Sequence, residues 1–123
     1  FRQALYLMCQ RALGIIYLPE ALKLDRVLFE LAAEQSPLTQ QFFEASHTRM
    51  CNVWCGFFEQ AITLNFIQAD DPLKQTELIV ALMLGTRHHK VLLGLDSVPT
   101  TVEIEQMIEQ AIELFLLKYQ PKF

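Results

Sequence analysis

The chain has 123 residues, 52% of them apolar and 20% charged, with ten Lys and Arg against 14 Asp and Glu for a net charge of −4. That length fits one compact domain, and that apolar content excludes a disordered chain. Four Gly and five Pro are too few for a turn-dense all-β domain, and an acidic surface is ill suited to grip DNA by itself.

The elements read as helices from end to end. Phe1, Leu5, Met8, Cys9, Ala12, Leu13 and Ile16 recur at helical spacing, so the first segment has one apolar face. Pro19 suits a first helical position, and a second helix is expected from about Pro19 to Glu34, turning Leu22, Val27, Leu28, Phe29 and Leu31 inward. Ser36-Pro37 supplies an N-cap and a first-turn proline for a long third helix reaching about Ile67. Asp70-Asp71-Pro72 repeats that start signal for a fourth helix, which runs to about Leu93 and stops at Gly94. Thr100 and Glu103 form a capping box for the last helix, which runs to about Tyr119 before Pro121. No strand alternation and no repeat is visible. The expected fold is an all-α, five-helix bundle.

The three cysteines are an odd number without C-x-x-C spacing, which favours a reducing compartment over a disulfide scaffold. The longest apolar run, Leu78 to Leu84, is far shorter than the ~18–20 residues needed to span a bilayer, and no signal-peptide pattern is present. The chain opens at Phe1 directly in helical periodicity and reads as a piece of something longer.

The last two helices are apolar on more than one side. On the fourth, Leu78, Leu82, Gly85 and Leu92 share one side while Leu73, Val80, Leu84 and Val91 lie on another. On the last, Ile104, Met107, Ile108, Ala111, Ile112, Leu114, Phe115 and Tyr119 cover an arc of about 160°, wider than the ≳ 100° that one core face needs. Two explanations fit. Either one of these helices is the centre of a monomer, or two copies of residues 72–93 and 101–119 form a four-helix bundle in a homodimer. The second assigns Leu78, Leu82, Gly85, His89, Leu92, Ile104, Ile108, Ala111, Ile112 and Phe115 to the dimer interface. Ala81 and Gly85 would allow close backbone approach.

The third helix places polar groups on an apolar side, where His47, Cys51 and Cys55 follow each other in steps of four. That spacing is unlike zinc signatures, so buried free cysteines explain it better than a metal site. A Cys–His nucleophile lacks an orienting acid and an oxyanion donor, which argues against an enzyme. A disulfide from Cys51 to Cys55 across one turn would be strained. The aromatic and methionine-rich faces suit a small-molecule pocket lined by Met8, Phe29, His47, Met50, Cys51, Trp54, Phe58 and Asn65, with His47 and Asn65 as the orienting groups. A filled core with a hydrogen-bonded His47 fits the same residues.

The order of signals resembles the ligand-binding and dimerisation domain of the TetR family of transcriptional regulators, over nearly the whole chain. The matching stretches are Phe42-Phe43-Glu44-Ala45, Ile67-Gln68-Ala69-Asp70-Asp71-Pro72, Leu82-Met83-Leu84-Gly85 through Val91-Leu92-Leu93-Gly94-Leu95, and Glu103-Ile104-Glu105 to Phe115-Leu116-Leu117-Lys118-Tyr119. The resemblance implies a cytoplasmic repressor domain that dimerises through its last two helices and holds a small apolar or aromatic effector among the preceding ones, with no cofactor and no membrane. It also implies DNA contact only through an N-terminal helix-turn-helix domain, which this sequence does not contain. The rival reading is a helical protein–protein interaction module without an effector site.

Overall fold

The computed structural model describes residues 1–121. Five helices follow in chain order: α1 Arg2–Ile16, α2 Pro19–Ala33, α3 Pro37–Thr63, α4 Pro72–Leu92 and α5 Thr101–Tyr119. No strand occurs among the described residues. The expected helix starts at Pro19, Pro37, Pro72 and Thr101 are all reproduced. Side chains make three of them: Ser36 Oγ accepts from Leu38 N–H, Asp71 Oδ1 from Leu73 N–H, and Thr100 Oγ1 from Glu103 N–H. Glu103 completes the expected capping box by accepting from Thr100 N–H at 3.1 Å.

Three helices end alike. After α2, α3 and α4 the chain enters the left-handed region at Gln35 (φ 57°), Asn65 (φ 62°) and Gly94 (φ 74°). In each, the next residue's N–H returns to a carbonyl five residues back: Ser36 to Leu31, Phe66 to Ala61 and Leu95 to Lys90. This paired closure satisfies the last carbonyls of the helix. It stops α3 at Thr63, four residues before the expected end at Ile67.

The core is built from one stripe of each long helix. Leu5, Cys9 and Leu13 of α1, Trp54, Phe58 and Ala61 of α3, Ile79 and Met83 of α4, and Ile108, Ala111, Ile112, Phe115 and Tyr119 of α5 are buried together. Aromatic rings link them, with Phe58 stacked on Phe115 at 5.2 Å and Phe115 against Tyr119 at 4.9 Å. Phe1 stacks between Phe57 and Phe66, which pins the start of α1 to the end of α3. The α3–α4 connection is tied to the end of α5 by Tyr119 Oη–H donating to Asp70 Oδ2 at 2.7 Å and Gln68 N–H donating to Tyr119 O.

Two expectations about faces need correcting. Helix α2 buries only Leu22; Val27 and Phe29, expected to turn inward, are about half exposed, because the part of α3 before Trp54 buries no residue either and leaves that side of α2 uncovered. Helix α4 is not one straight rod. It breaks at Gly85, whose φ of 48° and ψ of −151° lie in a region essentially reserved for glycine. Rotation at 100° per residue therefore does not carry across Gly85, and the sides drawn for an unbroken helix do not hold beyond it.

Candidate functional site

The break in α4 borders a cavity of about 610 Å³ between α2, α3 and α4. That volume is in the range of small-molecule sites, roughly 300–1,000 Å³. Leu28 and Phe29 of α2, Phe43 of α3, and Leu84 and Leu92 of α4 give it apolar walls. Asp25, Thr39, Ser46, His88 and His89 add polar groups, and no Lys or Arg lines it. Phe29 and Phe43, 53% and 62% exposed, stand at its mouth.

Local structure fixes these walls. Arg26 donates to Leu92 O at 3.0 Å and Val91 O at 3.1 Å, holding α2 to the C-terminal end of α4, where a cation is favoured. Arg87 Nη1 reaches Glu103 at 2.6 Å, its Nε lies 3.1 Å from Asp96 Oδ2, and it also donates to Ser97 O. The segment after Gly85 is thus held to α2 through Arg26 and to α5 through Arg87.

His88 is the central polar group. Its ring meets Tyr17 edge to face at 5.2 Å, and its Nε2 lies 3.9 Å from Asp25 Oδ2. Burial lowers the His88 pKa, with Asp25 opposing it only in part, and burial likewise raises that of Asp25. His88 Nδ1 and Thr39 Oγ1 are both buried without a hydrogen-bond partner.

Of the residues expected to line a pocket, Phe29 lines this cavity. His47 is one layer away, stacked on Phe43 at 5.4 Å and 3.9 Å from Glu77. Met8, Met50 and Cys51 are half-buried elsewhere, and Trp54 and Phe58 are inside the core. Asn65 is exposed in the left-handed turn that ends α3, so it cannot share a helical face with His47. Cys51 and Cys55 are free thiols 3.0 Å apart.

The expected interface set also divides. Ile108, Ala111, Ile112 and Phe115 are fully buried in this chain's own core, which corrects their placement at a dimer surface. Gly85, His89 and Leu92 line the cavity. Leu78, Leu82 and Ile104 remain half-buried at the edges of α4 and α5. The edge of α5 that carries Glu103 towards α4 continues through Met107 and Leu114, the latter 44% exposed. The opposite edge meets α1, where Arg2 lies 3.1 Å from Glu109.

Apart from Phe29, sequence reasoning anticipated none of the cavity lining: it missed the polar Asp25, Thr39, Ser46 and His88 as well as Leu28, Ala32, Phe43 and Leu84, and it assigned Gly85, His89 and Leu92 to an interface. The signal was a glycine interrupting a two-sided apolar helix one turn before a histidine doublet, which marks a break with polar groups beside it.

Residues 3–121 match the family described as the C-terminal domain of AefR-like transcriptional repressors. No curated protein sequence matches the chain. Among solved structures, a protein from Mesorhizobium loti assigned to the TetR family of transcriptional regulators superposes with a TM-score of 0.88 at 20% identity, over 98% of this chain. The flavonoid-responsive regulator FrrA superposes with a TM-score of 0.65 at 23% identity, over the whole chain. The chain spans 59% of the length of the first and 74% of the second.

Proposed function

The chain belongs to the TetR family of transcriptional regulators, as a C-terminal domain of the AefR-like type, and from that premise we propose that it senses a small molecule and holds two regulator subunits together. The carrying observation is the cavity at the Gly85 break, whose walls belong to three different helices. A ligand seated there touches α4 on both sides of the break, at Leu84 and at His88, and α2 and α3 opposite. Its binding energy can therefore favour one arrangement of these helices over another. Only such a differential affinity shifts a population. The name of FrrA, a regulator that responds to flavonoids, supports small-molecule sensing on this fold.

The second half of the proposal rests on α4 and α5. Leu78 and Leu82 on α4, with Met107, Leu114 and Leu117 on α5, leave apolar surface only partly covered by this chain. Two copies meeting there about a twofold axis would make a four-helix bundle. DNA contact belongs to a helix-turn-helix domain outside these residues, and the ligand acts by changing how two such domains are held apart. No helix among the described residues is long and apolar enough to cross a membrane.

The test uses the neutral fluorescent probe N-phenyl-1-naphthylamine. Its emission should rise and saturate on titration with the protein, and Leu84→Trp, which fills the cavity, should abolish the rise while leaving the helical circular dichroism intact. Equal binding by the Leu84→Trp protein would refute the cavity as the sensing site.

A further inference from the structure

Two of the three cysteines stand together. Cys51 and Cys55 sit one turn apart on α3, both half-buried, with their Sγ atoms 3.0 Å from each other. Cys55 Sγ also lies 3.8 Å from Thr76 Oγ1, so the pair borders the contact between α3 and α4. Cys9, by contrast, is fully buried on α1, and burial pushes its thiol up to about 12. A close and reachable dithiol suits a thiol-seeking ligand, and neither the cavity nor the subunit contact proposed above uses it.

The geometry selects the ligand. A direct disulfide needs Cβ atoms about 3.5–4.5 Å apart, whereas residues four apart on a helix hold theirs at about 5–6 Å. One atom inserted between the sulfurs closes that gap without bending α3. With bonds to sulfur of roughly 2.3 Å, a linear two-coordinate ion needs its sulfurs about 4.6 Å apart, and a pyramidal centre with near right-angle bonds needs about 3.3 Å. The observed 3.0 Å fits the pyramidal centre. A tetrahedral ion such as Zn²⁺ asks for further protein ligands, and no group of three His, Cys, Asp or Glu that could hold a metal occurs among the described residues. The centre must therefore bring its own third substituent and prefer sulfur to nitrogen or oxygen donors. We propose that Cys51 and Cys55 form a capture site for monosubstituted trivalent arsenicals, R–As(OH)2. Each thiol proton leaves with one arsenic-bound hydroxyl as water, and two S–As bonds replace two As–O bonds. Arsenic stays trivalent throughout, so no oxidant or reductant enters.

Phenylarsine oxide, the anhydride of such a diol, tests the site in the reduced protein. The intact mass should rise by one phenylarsine oxide less one water. Cleavage after Arg49 and Lys74 puts Cys51 and Cys55 in one tryptic peptide and Cys9 in another, and the added mass should sit on the first. Excess glutathione should leave this adduct in place, and 2,3-dimercaptopropanol should strip it. Cys51→Ser and Cys55→Ser should each hold the arsenical roughly a hundredfold more weakly, the worth of joining two contacts, and lose it to glutathione. Cys9→Ser should behave like the wild type. Helical circular dichroism should be unchanged by capture, since the sulfurs already stand at bridging distance. An adduct on the peptide that carries Cys9, or equal retention by both single-thiol variants, would overturn the site. So would a loss of helicity on capture, which would mean that α3 must unwind to close the ring. Protection of both thiols by excess Zn²⁺ would make it a metal-ion site and overturn the ligand class. The peptide assignment in the unaltered protein keeps the test decisive should a variant fail to fold.

Discussion

Arg87 Nη1 stands 2.6 Å from Glu103 Oε2, so the second part of α4 is fastened to the first turn of α5 by the same carboxylate that closes the capping box. Hydrogen bonding from Arg87, then from the Thr100 N–H, holds the Glu103 carboxyl down to about 2, against an ordinary 4.5. A depressed carboxyl pKa stabilises the fold above the unfolded value, and that contribution drains away as pH falls from 4.5 towards 2. Glu103→Gln keeps the box but removes the charge. Its urea stability should therefore fall less steeply than the wild type's over that interval; parallel curves would show that the pair contributes nothing.

Gly85→Ala should cost about 1–3 kcal/mol, the range for a residue held in a region it disfavours. A Cβ at Gly85 would meet no heavy atom within 4 Å, so the cost is one of backbone conformation and not of crowding. Urea denaturation measures it. A neutral or stabilising substitution would indicate that α4 runs unbroken through this position.

Gln35→Gly should gain about 1 kcal/mol, since Gln35 closes α2 at φ 57° with a Cβ that the left-handed region penalises. The matching change at the end of α4, Gly94→Ala, should lose a similar amount. Paired denaturation curves check both, and a loss at Gln35→Gly would mean that its side chain matters more than its backbone.

Phe115→Ala should lose about 3–5 kcal/mol, because a fully buried ring between Phe58 and Tyr119 leaves a cavity behind. Its destabilisation should not depend on protein concentration beyond that of the wild type. A selective loss of self-association with full thermal stability would return Phe115 to the surface.

The fold was legible because its signals are local. Ser36-Pro37, Asp71-Pro72 and the Thr100–Glu103 box each close a helix N-terminus with atoms only two or three residues apart, and the structure repeats all three. The end of α3 is hidden from the sequence because apolar periodicity continues through Phe66 and Ile67, while Asn65 breaks the backbone by adopting a conformation that many residues disfavour. The site was less legible, for a tertiary reason. Whether an apolar residue faces core, cavity or solvent depends on how far its neighbours extend. Phe58 and Phe29 look alike in sequence, yet one is sealed under α5 and the other stands at an opening. His88 is simply one of two adjacent histidines in the sequence, and only the break at Gly85 turns it against Asp25 and Tyr17.

The central claim is that α4 serves two surfaces, with Leu84 on the cavity and Leu82, 200° around the helix at about 100° per residue, on the face shared with a second copy. Sedimentation followed through the fluorescence of bound N-phenyl-1-naphthylamine tests both at once. The probe should travel with a species of twice 14.2 kDa, and with one of 14.2 kDa in the Leu82→Asp protein. A wild-type protein that carries the probe only as the single chain, or a Leu82→Asp protein that still carries it as the pair, would contradict the account.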